Sequence, residues 1–317
     1  MKRATLERHQ VWVYLAAILS GLGAGSAAPQ AAPTLELLLW PTLAILLFAT
    51  FTQVPFAQLP SAFKDRRYMG ATVLGNFGLL PVIVWGVLWL VPDDPAIRLG
   101  LSLVLLVPCT DWFLTFAHQA SGDVRRAIAS TPVLLVGQML TLPLYLWLFL
   151  GEGFGQLVSV QRMLVVFGLV IVLPLAAAYA MAHWARAHPA REAAVEKAAW
   201  LPVPLLGCVL FFIAASQVDT VKQSLPILGA IFFACVAFLM LAVLCALLMG
   251  RAFGLPVIQT RTLLFSFTTR NSFVVLPFAL ALPGANDTTA IVIVFQSMIE
   301  LFSMVALLWL IPKRLLR

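Results

Sequence analysis

Charge is what this sequence has least of. Of 317 residues only 10% are Asp, Glu, Lys or Arg, against 62% hydrophobic, and the mean hydropathy is +0.99. A soluble domain carries roughly a quarter charged residues, so water is excluded as the main solvent of this chain. Also missing are HExxH, paired membrane aspartates, a Ser/His dyad and any Gly-rich phosphate loop. Hydrolytic and nucleotide-driven chemistry therefore have no recognisable groups, and no cofactor is expected. The four cysteines, Cys109, Cys208, Cys235 and Cys245, lack metal or disulfide spacing. No stretch is polar enough to supply the added soluble domain that a sensor would bring.

Long apolar runs are what the sequence does have. About 20 such residues span a bilayer as a helix, and lipid leaves helices or closed barrels as the only choices. The alternating ten-residue segments of a barrel are absent. Ten spans are predicted, at Val11–Ala28, Leu35–Gln53, Met69–Val91, Leu99–Ala117 and Ala127–Leu150, then Met163–His183, Leu201–Val218, Leu225–Met249, Thr262–Leu282 and Thr289–Ile311. Basic residues cluster before span 1, after each even-numbered span and at the end of the chain. Sixteen lie on that side, against Arg98, Arg162 and Lys222 on the other. By the positive-inside rule both termini are cytoplasmic and the protein is a multi-pass inner-membrane protein. The net charge of +7 then reflects topology and anionic membrane lipid, with no nucleic-acid partner expected. The segment Met1–Pro29 resembles a signal peptide, but Pro29 directly after Gly25-Ser26-Ala27-Ala28 disfavours cleavage, so span 1 is retained.

Two sets of five spans imply opposite orientations in the membrane, the inverted-repeat plan of many transporters. Thr52-Gln53-Val54 recurs as Ser216-Gln217-Val218 after 164 residues. Thr110-Asp111-Trp112-Phe113 aligns with Arg270-Asn271-Ser272-Phe273 after 160, and Gly122 with Gly284 after 162. The near-constant offset divides the chain into repeats at 1–155 and 156–317. The expected fold is all-α, with helices 4 and 9 broken and crossing near the bilayer midplane.

Ionisable groups at membrane depth are costly and mark solute or ion paths. Three stand inside spans: Asp111, Arg270 and Glu300. Pro108 removes a backbone donor and pushes Val107 out of helical geometry, which frees carbonyls beside Cys109, Thr110 and Asp111. The matching polar run in span 9, Ser266 to Ser272 with Asn271 inside it, holds no proline. Asp111 and Arg270 are expected to face each other across the repeat axis. Plainer roles stay open: Cys109 as a packing residue, Glu300 as an interhelical hydrogen-bond partner, Asp111 with Arg270 as a silent pair.

The span plan and these polar kinks resemble the bile acid/sodium symporter superfamily, and within it the arsenite-efflux permease branch. In that branch a span-4 cysteine lies fourteen residues before the aspartate of a Gly-Asp pair, as Cys109 lies before Asp123 of Gly122-Asp123. Glu300 resembles the branch's acidic residue in span 10. Permeases also carry a span-9 glutamate eleven residues before a glycine, where this chain has Phe273. Sodium symporters place theirs five residues before an asparagine, where it has Ser266. Both acidic positions are missing, which argues against a sodium site built on that glutamate. Thr110 and Asp111 still resemble the small-polar/Asn pair of sodium-binding members.

The resemblance implies an ion-coupled secondary transporter exporting arsenite or a similar small oxyanion by proton antiport. Cys109, Thr110, Asp111, Arg270, Asn271, Ser272 and Glu300 are the expected substrate or ion site, with no bound metal. Soft sulfur suits a thiophilic metalloid, and a buried carboxyl suits a proton. A sodium- or proton-coupled symporter for an organic anion, with Arg270 as its counter-charge, is the alternative. An intramembrane enzyme or sensor is the reading outside transport, and the oligomeric state, homo-oligomer or monomer, stays open.

Overall fold

The computed structural model describes residues 9–53, 65–110, 112–157, 160–185, 189–282, 287–311 and 315–316. Among them the backbone is almost wholly helical, with a single isolated antiparallel bridge between Pro108 and Arg270. The chain opens with α1 (Gln10–Ala27) and α2 (Ala32–Phe51). A composite rod follows: α3 (Arg66–Leu74), a π-helical turn over Gly75–Leu79, α4 (Leu80–Val87) and a 3-10 turn to Leu90. Next come α5 (Pro95–Leu106), α6 (Trp112–Gln119) and the long α7 (Val124–Leu157). A second composite rod joins α8 (Val160–Phe167) through a π turn at Gly168–Val172 to α9 (Leu173–Ala185). The rest comprises α10 (Pro189–Ala198), α11 (Pro202–Ser216), α12 (Val218–Ala252), α13 (Val257–Thr268), α14 (Ser272–Ala281) and α15 (Asp287–Leu310).

Among the described residues five stretches are long and apolar enough to cross a membrane: Pro29–Phe51, Arg66–Leu90, Val124–Phe149, Leu225–Ala252 and Asp287–Leu310. Three shorter apolar helices, Trp12–Ala27, Pro95–Leu106 and Pro202–Ser216, accompany them. Large apolar side chains such as Leu140, 74% exposed, and Trp89, 70% exposed, cover their outward faces. In water such a surface would aggregate, whereas lipid solvates it. The chain is thus an all-α membrane protein. α10 is a helix the sequence reading took for a connection; its Glu and Lys residues gave no apolar run to find.

Local chemistry explains the helix ends. Asp94 caps α5 by accepting from Ala96 N–H (2.9 Å) and Ile97 N–H (3.1 Å), with Pro95 at the first helical position. Pro81 has no N–H for the carbonyl four residues back, Phe77 O. The Tyr145 hydroxyl of α7 donates to that oxygen at 2.5 Å, so the π turn is stitched to its neighbour. The helices form two packed groups: α1, α2, α9 and α11 in one, and α5, α7, α12, α13 and α15 in the other.

A polar clip closes one end of the second group. Arg126 of α7 bonds Asp65 Oδ2 through Nε at 2.7 Å and Asp123 Oδ2 through NH1 at 2.5 Å. Asp65 also caps α3, accepting from Tyr68 N–H at 3.1 Å. Asp123 N–H donates to Thr262 Oγ1 of α13 at 2.6 Å. A Cβ on Gly122 would stand 2.8 Å from that same oxygen, so this position needs glycine. The Gly122-Asp123 pair is thereby the joint that ties the start of α7 to α13. Burial alone would raise the Asp65 carboxyl. The Tyr68 N–H and the Arg126 guanidinium outweigh it and hold the carboxyl below its ordinary value. A depressed carboxyl contributes stability above its unfolded value and loses it as pH falls through the folded one. Thermal melts of purified protein should show an acid limb that Asp65→Asn flattens; an identical limb in the variant would remove this account.

Candidate functional site

Two helices stop in mid-course and exchange hydrogen bonds. Pro108 forces Val107 into an extended conformation (φ −100°, ψ 108°), ending α5 at Leu106. α13 ends at Thr268, and Thr269 is extended as well (φ −96°, ψ 138°). Cys109 N–H donates to Thr269 O at 3.2 Å, and Asn271 N–H donates to Val107 O at 2.9 Å. Each break satisfies backbone groups of the other, as buried polar groups require. The breaks cover Val107–Thr110 and Thr269–Asn271. Trp112 and Ser272 are the first residues of α6 and α14.

The break in α13/α14 arises without proline. Arg270 N–H points away from the helix and donates to Glu300 Oε1 of α15 at 2.9 Å. Asn271 then restarts the chain as the cap of α14, accepting from Val274 N–H at 3.2 Å. A carboxylate thirty residues ahead and a carbonyl of the other break therefore do here what Pro108 does in the first.

Around this crossing the structure gathers most of the expected residues. Cys109, Thr110, Arg270, Asn271, Ser272 and Glu300 are all buried, Arg270 at 1% and Glu300 at 3% exposure. Cys109 Sγ accepts from Trp112 N–H at 3.2 Å, so the sulfur caps α6. Thr110 Oγ1 accepts from the Asn271 amide at 3.4 Å. Asp111 lies outside the described residues, and so does any pairing with Arg270 that involves it. Among the described residues, Arg270 and Glu300 are the buried charged side chains.

The Arg270 guanidinium meets oxygens of three elements. It donates to Leu105 O of α5 (3.2 Å), Asn76 Oδ1 of the first π turn (3.4 Å), Ser266 O (3.3 Å) and Phe267 O of α13. The Phe238 ring of α12 covers it, 5.2 Å from the guanidinium carbon to the ring centroid. Glu300 uses its other oxygen to accept from Gln296 Nε2 at 2.8 Å.

Two residues at the crossing escaped the sequence reading. Asn76 bridges Thr72 O (3.0 Å), Ser266 Oγ (3.1 Å) and Arg270. Gln296 sits one turn before Glu300, its Oε1 buried and without a hydrogen-bond partner. A search for buried amides inside spans, beside the search for charges, would have found both. Further hydrogen-bonding capacity is left over at Ser272 Oγ and Arg270 Nε, and on both amide atoms of the buried Gln138 in α7. No group of three or more His, Cys, Asp or Glu side chains able to hold a metal occurs among the described residues.

The arsenical-resistance protein Acr3 of Corynebacterium glutamicum is 27% identical over 88 residues, covering 27% of this chain and 24% of that protein. The match thus spans about a quarter of the relative's length. The profile of the Sodium Bile acid symporter family matches residues 40–224, more than half of the 317. The chain therefore belongs to the Sodium Bile acid symporter family and is a multi-pass membrane protein.

Proposed function

We propose that the chain is an ion-coupled secondary transporter that exports arsenite, or a similarly small oxyanion-like solute, by proton antiport through the helix crossing. The observation that carries this is Glu300, a buried carboxylate whose two oxygens hold the Arg270 N–H and Gln296. At neutral pH arsenite is mainly As(OH)3, a neutral solute with three hydroxyl donors. An ionised Glu300 accepts from such donors. A proton on Glu300 turns one oxygen into a donor and removes that acceptor. Solute and proton then compete for one group, which is the requirement for exchange. Gln296 eases the switch, since rotating its amide offers the unpartnered Oε1 to the new carboxyl proton. Cys109 stands beside this path with sulfur suited to a thiophilic metalloid.

The architecture proposed with it is ten transmembrane helices in two inverted repeats, 1–155 and 156–317, the termini cytoplasmic and the breaks near the bilayer midplane. In support, α5 and α13 end at Leu106 and Thr268, 162 positions apart. Gly122 and Gly284 have the same offset. The two packed groups of helices would move against each other to alternate access.

The second reading, symport of an organic anion, draws on Arg270. With Glu300 protonated the crossing keeps one net positive charge among the described residues, which favours an anion entering with the proton. Reconstituted vesicles distinguish the two. Under antiport, arsenite accumulates in vesicles made acidic inside, as protons leave. A sodium gradient at fixed pH should drive nothing. Uptake driven by sodium alone would overturn the proton assignment, and an organic anion entering together with protons would favour the symporter.

A further inference from the structure

Three carbonyls at the crossing have lost their helical partners. In an unbroken helix Leu105 O would accept from residue 109, Ser266 O from residue 270 and Phe267 O from residue 271. Cys109 N–H donates instead to Thr269 O, Arg270 N–H to Glu300, and Asn271 N–H to Val107 O. The three orphaned oxygens sit at the C-terminal ends of α5 and α13, where free carbonyls and the helix dipole concentrate negative potential. Broken helices of transporters present such ends to cations. All three carbonyls, with Asn76 Oδ1 as a fourth oxygen, accept from the Arg270 guanidinium. That guanidinium is 1% exposed. Among the described residues no carboxylate pairs with it directly; Glu300 bonds the Arg270 backbone N–H instead.

We propose that Arg270 is a tethered cation: its guanidinium fills an oxygen cage that takes a small monovalent cation from solution when the side chain is cut back. Three of the four cage oxygens are backbone carbonyls, so the cage survives truncation at Arg270, and the remaining Glu300 charge adds to its pull. The tether makes the native protein independent of sodium or potassium at this place. The inference deepens the transport reading, but its test reads melting and not transport, so either can fail alone.

Melting temperatures of purified wild type and Arg270→Ala would be compared with sodium, potassium or methylguanidinium chloride, at ionic strength held constant with choline chloride. Wild type should be indifferent. Arg270→Ala should melt lower and recover saturably with at least one of the three, by roughly 5 °C or more. If Arg270→Ala cannot be recovered folded, Arg270→Ala with Glu300→Gln removes both charges. That double variant keeps the cage carbonyls, so it should be recovered and still gain saturably, though less, from at least one of the three cations. A variant as indifferent to all three cations as wild type would overturn the proposal. So would wild type gaining the same saturable stabilisation, or loss of the double variant along with the single one.

Discussion

Glu300→Gln should remain folded and lose proton-driven transport by ~100-fold or more, the scale of removing a positioned proton-transfer group. The amide keeps an oxygen for the Arg270 N–H, and Gln296 rotates to meet the new NH2 with its free Oε1. Four oxygens hold the Arg270 guanidinium without help from Glu300, so neutralising the carboxylate leaves the cage in place. The variant mimics the protonated state that the proposed cycle visits. Melting should therefore change little, within about 1 kcal/mol of the net value of one hydrogen bond. Glu300→Leu is the contrast. It strips acceptors from the Arg270 N–H and from Gln296, each costing about 1–3 kcal/mol when left buried and unsatisfied. Uptake in vesicles and thermal melts on the same preparations check both. If Glu300→Gln responds to a pH gradient as wild type does, Glu300 does not carry the proton.

The second large effect is steric. A Cβ on Gly75 would stand 1.8 Å from the Phe267 ring, far inside contact distance. Phe267 cannot retreat freely, because its carbonyl accepts from Arg270 and its ring is fully buried. Gly75→Ala should thus destabilise by about 1–3 kcal/mol, the usual cost of overpacking, and disturb the crossing with it. Adding Phe267→Leu, which removes the clashing ring edge, should restore part of the loss. Gly86→Ala is the control, since nothing lies within 4 Å of its added carbon. Yield of folded protein and melting temperature measure all four proteins. Equal tolerance of alanine at Gly75 and Gly86 would mean that the first π turn and α13 are not in contact as described.

What the sequence could convey was decided by how local each cause is. Pro108 announces its own break, because its missing N–H and its clash with Val107 act within about one helical turn. Arg270 and Glu300 were visible because charge inside an apolar run has few other reasons to be there. The break at Thr269–Asn271 was less legible, since it depends on Glu300 and Val107, which come near only in the folded chain. Asn76 was passed over because a neutral amide between glycines looks unremarkable until three spans meet around it. The Gly122-Asp123 joint could be read as a pattern, yet its reason, the Thr262 hydroxyl against the glycine, lies 140 positions away. The partner expected for Arg270, Asp111, is outside the described residues; the carbonyls that do hold Arg270 carry no sequence signature at all.

The mutual repair of the two breaks sets a schedule for making the protein. The Val107 carbonyl and the Cys109 N–H need residues 269–271, synthesised about 160 positions later. At ~5–20 residues per second, these groups wait roughly 8–30 s before their partners exist. Lipid offers no substitute hydrogen bond in that interval. The first half of the chain must meanwhile hold α5 and α6 loosely or near water, and it gains its final shape only when the second half arrives.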